Sequence, residues 1–386
     1  MRTVKFLSIL VIVAMMLPLA SCGPKGGGTI KIGVIAPMTG DVKTFGESTK
    51  EGVEVAVAEW NAKGGVLGKK IEIVLGDDKN DPAEATNAAT KLIKQDKVKF
   101  IVGSVASKCS IPISDVANAN KVLQISPTST NPKVTVADGK RKPYVFRACF
   151  IDPPQGSAMA KFALETLKIK KVSVFYDNGN DYVKGLAEFF RAAFEKGGGK
   201  VNVWEAYSVN DTDFSALLTK VMADPPDMLY IPDYYNKVNL ICKQARDKGF
   251  KGIFAGGDGW DSSDLDVKVT EGGYFTNHYA ADDPRPVVKN WQKTYGEKYK
   301  DKDGKPKVPD ALATLAYDAT NLLLNAIKTA NSEDPTKVKD AMAATKGFQT
   351  VSGEISFDQD GNPTNKDIVV QQIKGGKQVH VTTIKP

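Results

Sequence analysis

The sequence predicts an α/β fold of two doubly wound parallel-sheet lobes joined by a multi-crossover hinge. Two observations predict this: short β-branched runs alternate with amphipathic stretches, and the series occurs twice. Strands that alternate with helices of this length form parallel βαβ units, with helices on both faces of each sheet. A chain of 386 residues is also too long for one small core and is typical of two lobes.

The first series begins with a strand at Ile30–Pro37 and a helix over 46–61, in which Val53, Val57 and Trp60 recur at helical spacing. Its other predicted elements are strands 71–75, 100–102 and 123–125 and helices 83–95 and 111–120. The second series has predicted helices 155–166, 182–196, 214–222 and 237–248 and strands 172–176, 201–207, 228–231 and 253–255. Each series has enough strands for a sheet of its own.

The remaining sequence contains too few strands for a third domain. Helices are predicted near 287–299, 309–329 and 336–344, and strands at 354–357, 368–373 and 378–384, the latter as a hairpin-rich tail. These helices must pack on an existing lobe, so the chain crosses between lobes more than once. We therefore expect one lobe from 29–150 plus 279–366 and another from 151–278 plus 367–386. A hinge between two such lobes makes a closing cleft.

The amino terminus predicts export. Arg2 and Lys5 precede the apolar run Phe6–Ala20, which is too short to span a bilayer, so residues 1–21 are typical of a signal peptide. Leu19-Ala20-Ser21-Cys22 resembles the lipobox of bacterial lipoproteins, which implies cleavage before Cys22 and lipidation of its thiol. Residues 22–28 then form a flexible tether. The alternative is an ordinary cleaved signal followed by an accidental cysteine.

Composition excludes several classes of function. With 42% hydrophobic and 25% charged residues the chain is globular, and its lysines are scattered among acids, which argues against a nucleic-acid partner. Cys109, Cys149 and Cys242 are odd in number and lack metal spacing, so we expect buried free thiols. His278 and His380 are the only histidines, and neither lies in a recognisable motif. We therefore expect no catalytic residue, metal site or cofactor.

Ligands of open parallel sheets bind outside the carboxyl ends of the strands. At these ends the first lobe carries hydroxyls and backbone amides, which suit a carboxylate, and the second carries aromatics and carboxylates, which suit an ammonium group. The candidate residues are Phe45, Ser107, Thr128, Thr130, Tyr182, Tyr234 and Asp258. Structural alternatives remain open for each class: helix capping by the hydroxyls, a tight turn for the aspartate, and core-edge packing for the tyrosines.

Five segments together resemble the leucine/isoleucine/valine-binding proteins of ABC importers. They are Ile32–Gly40, Asn61–Gly68, Ile125-Ser126-Pro127 with Thr130-Asn131-Pro132, Asp213-Phe214-Ser215, and Gln244-Ala245-Arg246 with Gly249. The similarity covers nearly the whole chain after the tether. It implies the type I periplasmic-binding fold, with three crossovers and no catalysis.

The resemblance also implies a role for each site residue. Ser107 and Thr130 would hold the ligand carboxylate, the Thr128 carbonyl and the Asp258 carboxylate would take the ammonium, and Tyr234 would contact the ammonium side. Tyr182 would close over the ligand, and Phe45 would line the side-chain pocket. Two features depart from relatives: Asn80 and Ala106 stand where some have a disulfide, and Asp258 is shorter than the usual glutamate.

We therefore expect a lipid-anchored, extracytoplasmic substrate-binding protein, in the periplasm or on the cell surface. Its partners would be a neutral amino acid, most simply a branched-chain one, and an ABC permease, and the protein would be a monomer that touches the membrane only through its lipid. A receptor of the same fold that senses another amino-acid-like or amide compound is the alternative. An extracellular hydrolase would need a nucleophile and base that the two histidines hardly supply.

Overall fold

A computed structural model describes residues 27–385, which contain ten α-helices and sixteen strands. The strands form two large sheets and two small two-stranded sheets. The strands are β1 Thr29–Ala36, β2 Lys70–Asp77, β3 Phe100–Gly103, β4 Leu123–Ser126, β5 Val136–Ala137, β6 Lys140–Arg141, β7 Val145–Arg147, β8 Lys171–Asp177, β9 Lys200–Tyr207, β10 Met228–Tyr230, β11 Ile253–Gly256, β12 Tyr274–Asn277, β13 Phe348–Thr350, β14 Gly353–Ile355, β15 Ile368–Lys374 and β16 Lys377–Ile384. The helices are α1 Lys43–Ala62, α2 Pro82–Lys94, α3 Ser107–Ala119, α4 Asp152–Lys161, α5 Asp181–Lys196, α6 Ser215–Ala223, α7 Tyr235–Asp247, α8 Pro286–Lys298, α9 Ala311–Ala330 and α10 Pro335–Ala343.

The first lobe is built on a five-stranded sheet in the order β2-β1-β3-β4-β7. Every pair in it is parallel, with Ile32 of β1 opposite both Ile73 of β2 and Phe100 of β3. The side chains of Ile32 and Val34 are fully buried, because helices cover both faces of the sheet. The prediction of a parallel, doubly wound sheet is confirmed for this lobe.

The second lobe is built on a seven-stranded sheet in the order β16-β15-β12-β11-β10-β8-β9. The strands from β8 to β12 are parallel, whereas β15 runs antiparallel to β12 and to β16. The parallel part of the predicted sheet is confirmed, and the tail adds an antiparallel edge in line with the predicted hairpin. A hairpin from the end of the sequence completes the sheet, and the tight turn at Gly375-Gly376 reverses the chain.

The chain passes between the lobes three times within the described residues. It leaves the first sheet after β7, returns after β12 to form α8, α9 and α10, and leaves again before β15. Helix α9 packs along α1, and α10 packs on α9 and β4, so these late helices contact elements of the first sheet's part of the chain. Three connecting segments are the structural basis of a hinge.

Some local predictions are wrong. Strands β7 and β12 were not predicted, since each is short and lacks a long β-branched run. The helix predicted over 155–166 is two pieces, α4 and a π-helical turn at Phe162–Thr166. Helix α3 begins at Ser107, four residues before the predicted start.

Two further expectations concern the cysteines and the amino-terminal segment. Cys109, Cys149 and Cys242 are buried and free, as predicted. The predicted signal peptide, Cys22 and the first part of the predicted tether lie outside the described residues. Among residues 27–385, none of the helices has the length and apolar character needed to cross a membrane.

Candidate ligand-binding site

All seven candidate residues line one cavity between the two lobes. The seven are Phe45, Ser107, Thr128, Thr130, Tyr182, Tyr234 and Asp258, and the cavity is also lined by Val105, Gly259, Asn277, His278, Ala311 and Leu312. The carboxyl ends of strands from both sheets therefore meet here, as the rule for parallel sheets predicts.

The first lobe contributes two hydroxyls to the cavity, those of Ser107 and Thr130. Ser107 is the first residue of α3, and its Oγ accepts a hydrogen bond from the Asn131 N–H at 3.2 Å, which leaves the Ser107 hydroxyl proton free to donate. Thr130 Oγ1 is buried, and no atom of the described residues is in hydrogen-bonding geometry with it, although the Asp152 carboxyl lies nearby. These hydroxyls can donate to a carboxylate.

Neither hydroxyl acts as a helix cap, so the capping alternative is wrong. The residue that precedes α3 is Ala106, which makes no side-chain cap, and the short helix Pro132–Val134 is capped by the Asn131 side chain instead of Thr130. The first turn of α3 therefore directs unsatisfied backbone N–H groups toward the cavity end of the helix. Such an end is a favourable position for an anion.

The loop that carries Thr128 and Thr130 is held in place by a buried arginine. The Arg147 guanidinium donates to the Ser129 carbonyl at 2.7 Å and to the Asn131 carbonyl at 2.9 Å. Because these two carbonyls lie on either side of Thr130, the backbone of the loop is fixed before any ligand arrives.

The second lobe contributes a carboxylate that is already well ordered. Asp258 Oδ1 accepts hydrogen bonds from Gln155 Nε2 at 2.7 Å and from the Tyr182 hydroxyl at 2.9 Å. Asp258 Oδ2 lies 3.1 Å from His278 Nε2. The Asp258 side chain is 12% exposed, toward the cavity. These long-range partners show that the aspartate does more than shape the Gly256–Gly259 turn, and Oδ2 retains capacity for a further donor.

Two tyrosines close one wall of the cavity. The rings of Tyr182 and Tyr234 are stacked, with centroids 5.4 Å apart and planes 5° from parallel. Burial raises the pKa of both phenols, so they remain protonated donors at physiological pH. The Tyr182 hydroxyl also accepts from the Gly259 N–H, which ties helix α5 to the aspartate turn.

The middle of the cavity is apolar, and the lobes meet around it. Phe45, Val105 and Leu312 supply the apolar lining from the first lobe. The Phe45 ring also makes an edge contact with Tyr235 of the second lobe, at 5.1 Å between centroids. The Tyr235 hydroxyl donates to the Asp41 carbonyl at 3.1 Å. The described structure is therefore a closed arrangement of the lobes.

Six of the residues that line the cavity were not among the predicted site residues. Asn277 ends β12 and His278 follows it, so recognition of that strand would have indicated them by the same strand-end rule. Ala311 and Leu312 begin α9, a helix whose existence was predicted but whose position depends on packing against α1. Val105 and Gly259 are neighbours of predicted residues.

The arrangement suits binding of a small zwitterion. Donors for an anion lie on one lobe, a carboxylate lies on the other, and an apolar space separates them. No cluster of three potential metal ligands occurs among residues 27–385. Two lobes that close on a cavity with polar ends and an apolar middle are typical of solute-binding proteins.

Comparison with known proteins gives the family. The model of the periplasmic binding protein family matches residues 29–378. A Leu/Ile/Val-binding protein homologue of Brucella abortus is 36% identical over 355 residues, which cover 91% of this chain and 93% of that protein. The chain belongs to the Leu/Ile/Val-binding protein family, the substrate-binding proteins of branched-chain amino acid ABC transporters, and so is not an enzyme.

Two solved structures are similar over nearly their whole length. The leucine-binding protein LivK of Thermotoga maritima is 41% identical, with a TM-score of 0.85, and covers 92% of this chain and 99% of its own. LivJ of Streptococcus pneumoniae, solved in complex with isoleucine, is 33% identical, with a TM-score of 0.85, and covers 93% of this chain and 100% of its own. These similarities confirm the predicted fold.

Proposed function

We propose that this protein binds a branched-chain amino acid in the cavity between its lobes. The observation that carries the proposal is the polarity of the site. Ser107, Thr130 and the start of α3 lie at one end of the cavity, where they would face a ligand carboxylate, and Asp258 lies where it would face the ammonium. An aliphatic side chain would then occupy the space lined by Phe45 and Leu312.

The relatives support the same class of ligand, since LivJ of Streptococcus pneumoniae was solved with isoleucine. Each charged end of the amino acid would be desolvated against fixed partners, which favours specific recognition. A ligand that touches both lobes only when they are closed stabilises the closed state by those extra contacts. The closed form would deliver the amino acid to an ABC permease, with the binding protein acting as a monomer.

Thermal unfolding tests the ligand. The purified protein, refolded from denaturant to remove bound ligand, is heated with each of the twenty amino acids. Leucine, isoleucine and valine should raise the melting temperature, because they bind the folded state alone. Isothermal titration then ranks their affinities. If no amino acid shifts the transition, the amino-acid site is refuted and the sensing alternative, with another ligand, replaces it.

We also propose the lobe limits and the lipid anchor stated above. One lobe comprises 29–150 plus 279–366, the other 151–278 plus 367–386, and Cys22 is lipidated after cleavage of residues 1–21. Two or more acyl chains would give stable anchoring. Expression of Cys22→Ser with the wild type as control tests the anchor: the variant should lose incorporation of labelled palmitate and leave the membrane fraction. Equal labelling of both proteins would refute it.

A further inference from the structure

His278 is a buried residue of the cavity to which the predicted binding site gives no role. Its side chain is 1% exposed, and its Nε2 lies 3.1 Å from Asp258 Oδ2. Its ring is stacked on Phe150, with centroids 3.6 Å apart and planes 28° from parallel. One side chain therefore contacts the carboxylate and an aromatic ring of another segment at once.

The protonation of His278 follows from these surroundings. Burial lowers the pKa of His278 despite the neighbouring Asp258 carboxylate, so the ring is neutral at physiological pH. A carboxylate oxygen can only accept, so the single ring proton lies on Nε2 and points to Asp258. Nδ1 is left buried without a partner among the described residues. A bare buried nitrogen costs stability, which argues against a purely structural role.

The Asp258 carboxylate depends on this contact for one of its two oxygens. Gln155 and Tyr182 both donate to Oδ1, whereas His278 is the one donor to Oδ2 among the described residues. Without it Oδ2 would lose its donor, and only the two contacts at Oδ1 would orient the carboxylate. Preorganised partners lower the cost of binding, so loss of the contact should weaken binding of a cation.

The other face of His278 lies at the connections between the lobes. Phe150 follows β7 in the first crossing segment, and it packs with Ile368, where the chain enters β15 after the third crossing. His278 itself follows β12, at the second crossing. The imidazole therefore connects the candidate ammonium partner to residues from all three connections.

We propose that His278 is a positioning residue of the amino-group site, which holds Asp258 Oδ2 through its Nε2–H and anchors that carboxylate to the crossover segments through its stack on Phe150. The inference rests on the proposed amino-acid function, which it deepens. His278 acts through Asp258 and need not touch the ligand.

Two substitutions separate this role from simple packing. His278→Phe keeps an aromatic ring on Phe150 but removes the donor, whereas His278→Gln restores an N–H donor on a flexible chain. His380→Phe, at the other histidine, exposed on β16, is the control. Leucine dissociation constants are measured by calorimetry, and melting temperatures are measured without ligand, for the purified protein and each variant.

We expect His278→Phe to weaken leucine binding by about tenfold to a hundredfold, the range for a lost hydrogen bond to a charged group. His278→Gln should recover most of this loss, and His380→Phe should have no effect. The ligand-free melting temperature of His278→Phe should change little, because loss of the contact to Asp258 Oδ2 is offset by removal of the unpartnered Nδ1.

Each other outcome overturns the inference. Unchanged affinity in His278→Phe would show that the contact does not matter. Equal losses in His278→Phe and His278→Gln, or a loss of affinity that parallels a fall in melting temperature, would assign His278 to packing. If His278→Phe does not fold, His278→Leu replaces it under the same criteria. A wild-type protein that binds no amino acid would refute the proposed function itself, a result distinguishable from these.

Discussion

Removal of the charge on Asp258 should abolish most of the affinity for an amino acid. Asp258→Asn keeps the size of the side chain and an oxygen that can accept from Gln155 and Tyr182. At the position of Oδ2, opposite His278, the variant has either the amide nitrogen or a neutral oxygen, according to the orientation of the amide. A ligand ammonium would then be desolvated without a counter-charge.

The expected magnitude follows from the burial of the site. The Asp258 side chain is 12% exposed, so solvent does little to screen or replace the ion pair. Removal of one partner of a buried pair costs about 3–5 kcal/mol. The dissociation constant for leucine should therefore rise by a factor of about a hundred to a few thousand.

Calorimetric titration of ligand-free protein measures this change. Asp264→Asn is a matched control, because it removes an exposed carboxylate from the same segment and should leave the affinity unchanged. Leucine affinity within about threefold of wild type in Asp258→Asn, a difference below 1 kcal/mol, would refute the assignment of Asp258 as the ammonium partner.

Three further predictions concern the opposite end of the site, its size and the response to pH. Thr130→Val should weaken leucine binding by about tenfold without lowering the ligand-free melting temperature, since Thr130 Oγ1 lacks a partner; weaker binding with equal destabilisation would contradict it. Leu312→Ala should shift preference from leucine toward phenylalanine by about tenfold in competition titrations, because it enlarges the apolar space; an unchanged ratio would place the ligand side chain elsewhere. Burial raises the pKa of Asp78 and Asp233 to about 6. The folded state then retains protons that the unfolded state has released, so the free energy of unfolding should fall as pH rises from about 4 to 7. Asp78→Asn should flatten that slope in denaturant titrations, and an equally steep slope would exclude Asp78 as a source.

The sequence could predict much of the site because the fold brings the carboxyl ends of several strands together. Residues as distant as Phe45 and Asp258 could be assigned to one cavity once each was seen to follow a predicted strand. This logic fails where a strand is not recognised. β12 has only four residues and follows Gly272-Gly273, so His278 was seen as an isolated histidine.

Other features depend on packing that no local pattern encodes. The hydrogen bonds from Gln155 and Tyr182 to Asp258 join α4 and α5 to the turn after β11, and their geometry depends on the packing of these elements. Likewise, the apolar pattern at β15 predicts a strand but not its direction. The same side chains would be buried whether the neighbouring strand were parallel or antiparallel.

The late position of α9 and β15 has a consequence for how the chain acquires its structure. Helix α1 packs along α9, and β12 is an uncovered sheet edge until β15 pairs with it. Neither hydrophobic core can therefore be completed from the earlier part of the sequence alone. Long-range contacts of this kind slow folding and leave strand edges exposed in the meantime. The same topology that brings two lobes around a ligand thus makes completion of both cores depend on the last part of the chain.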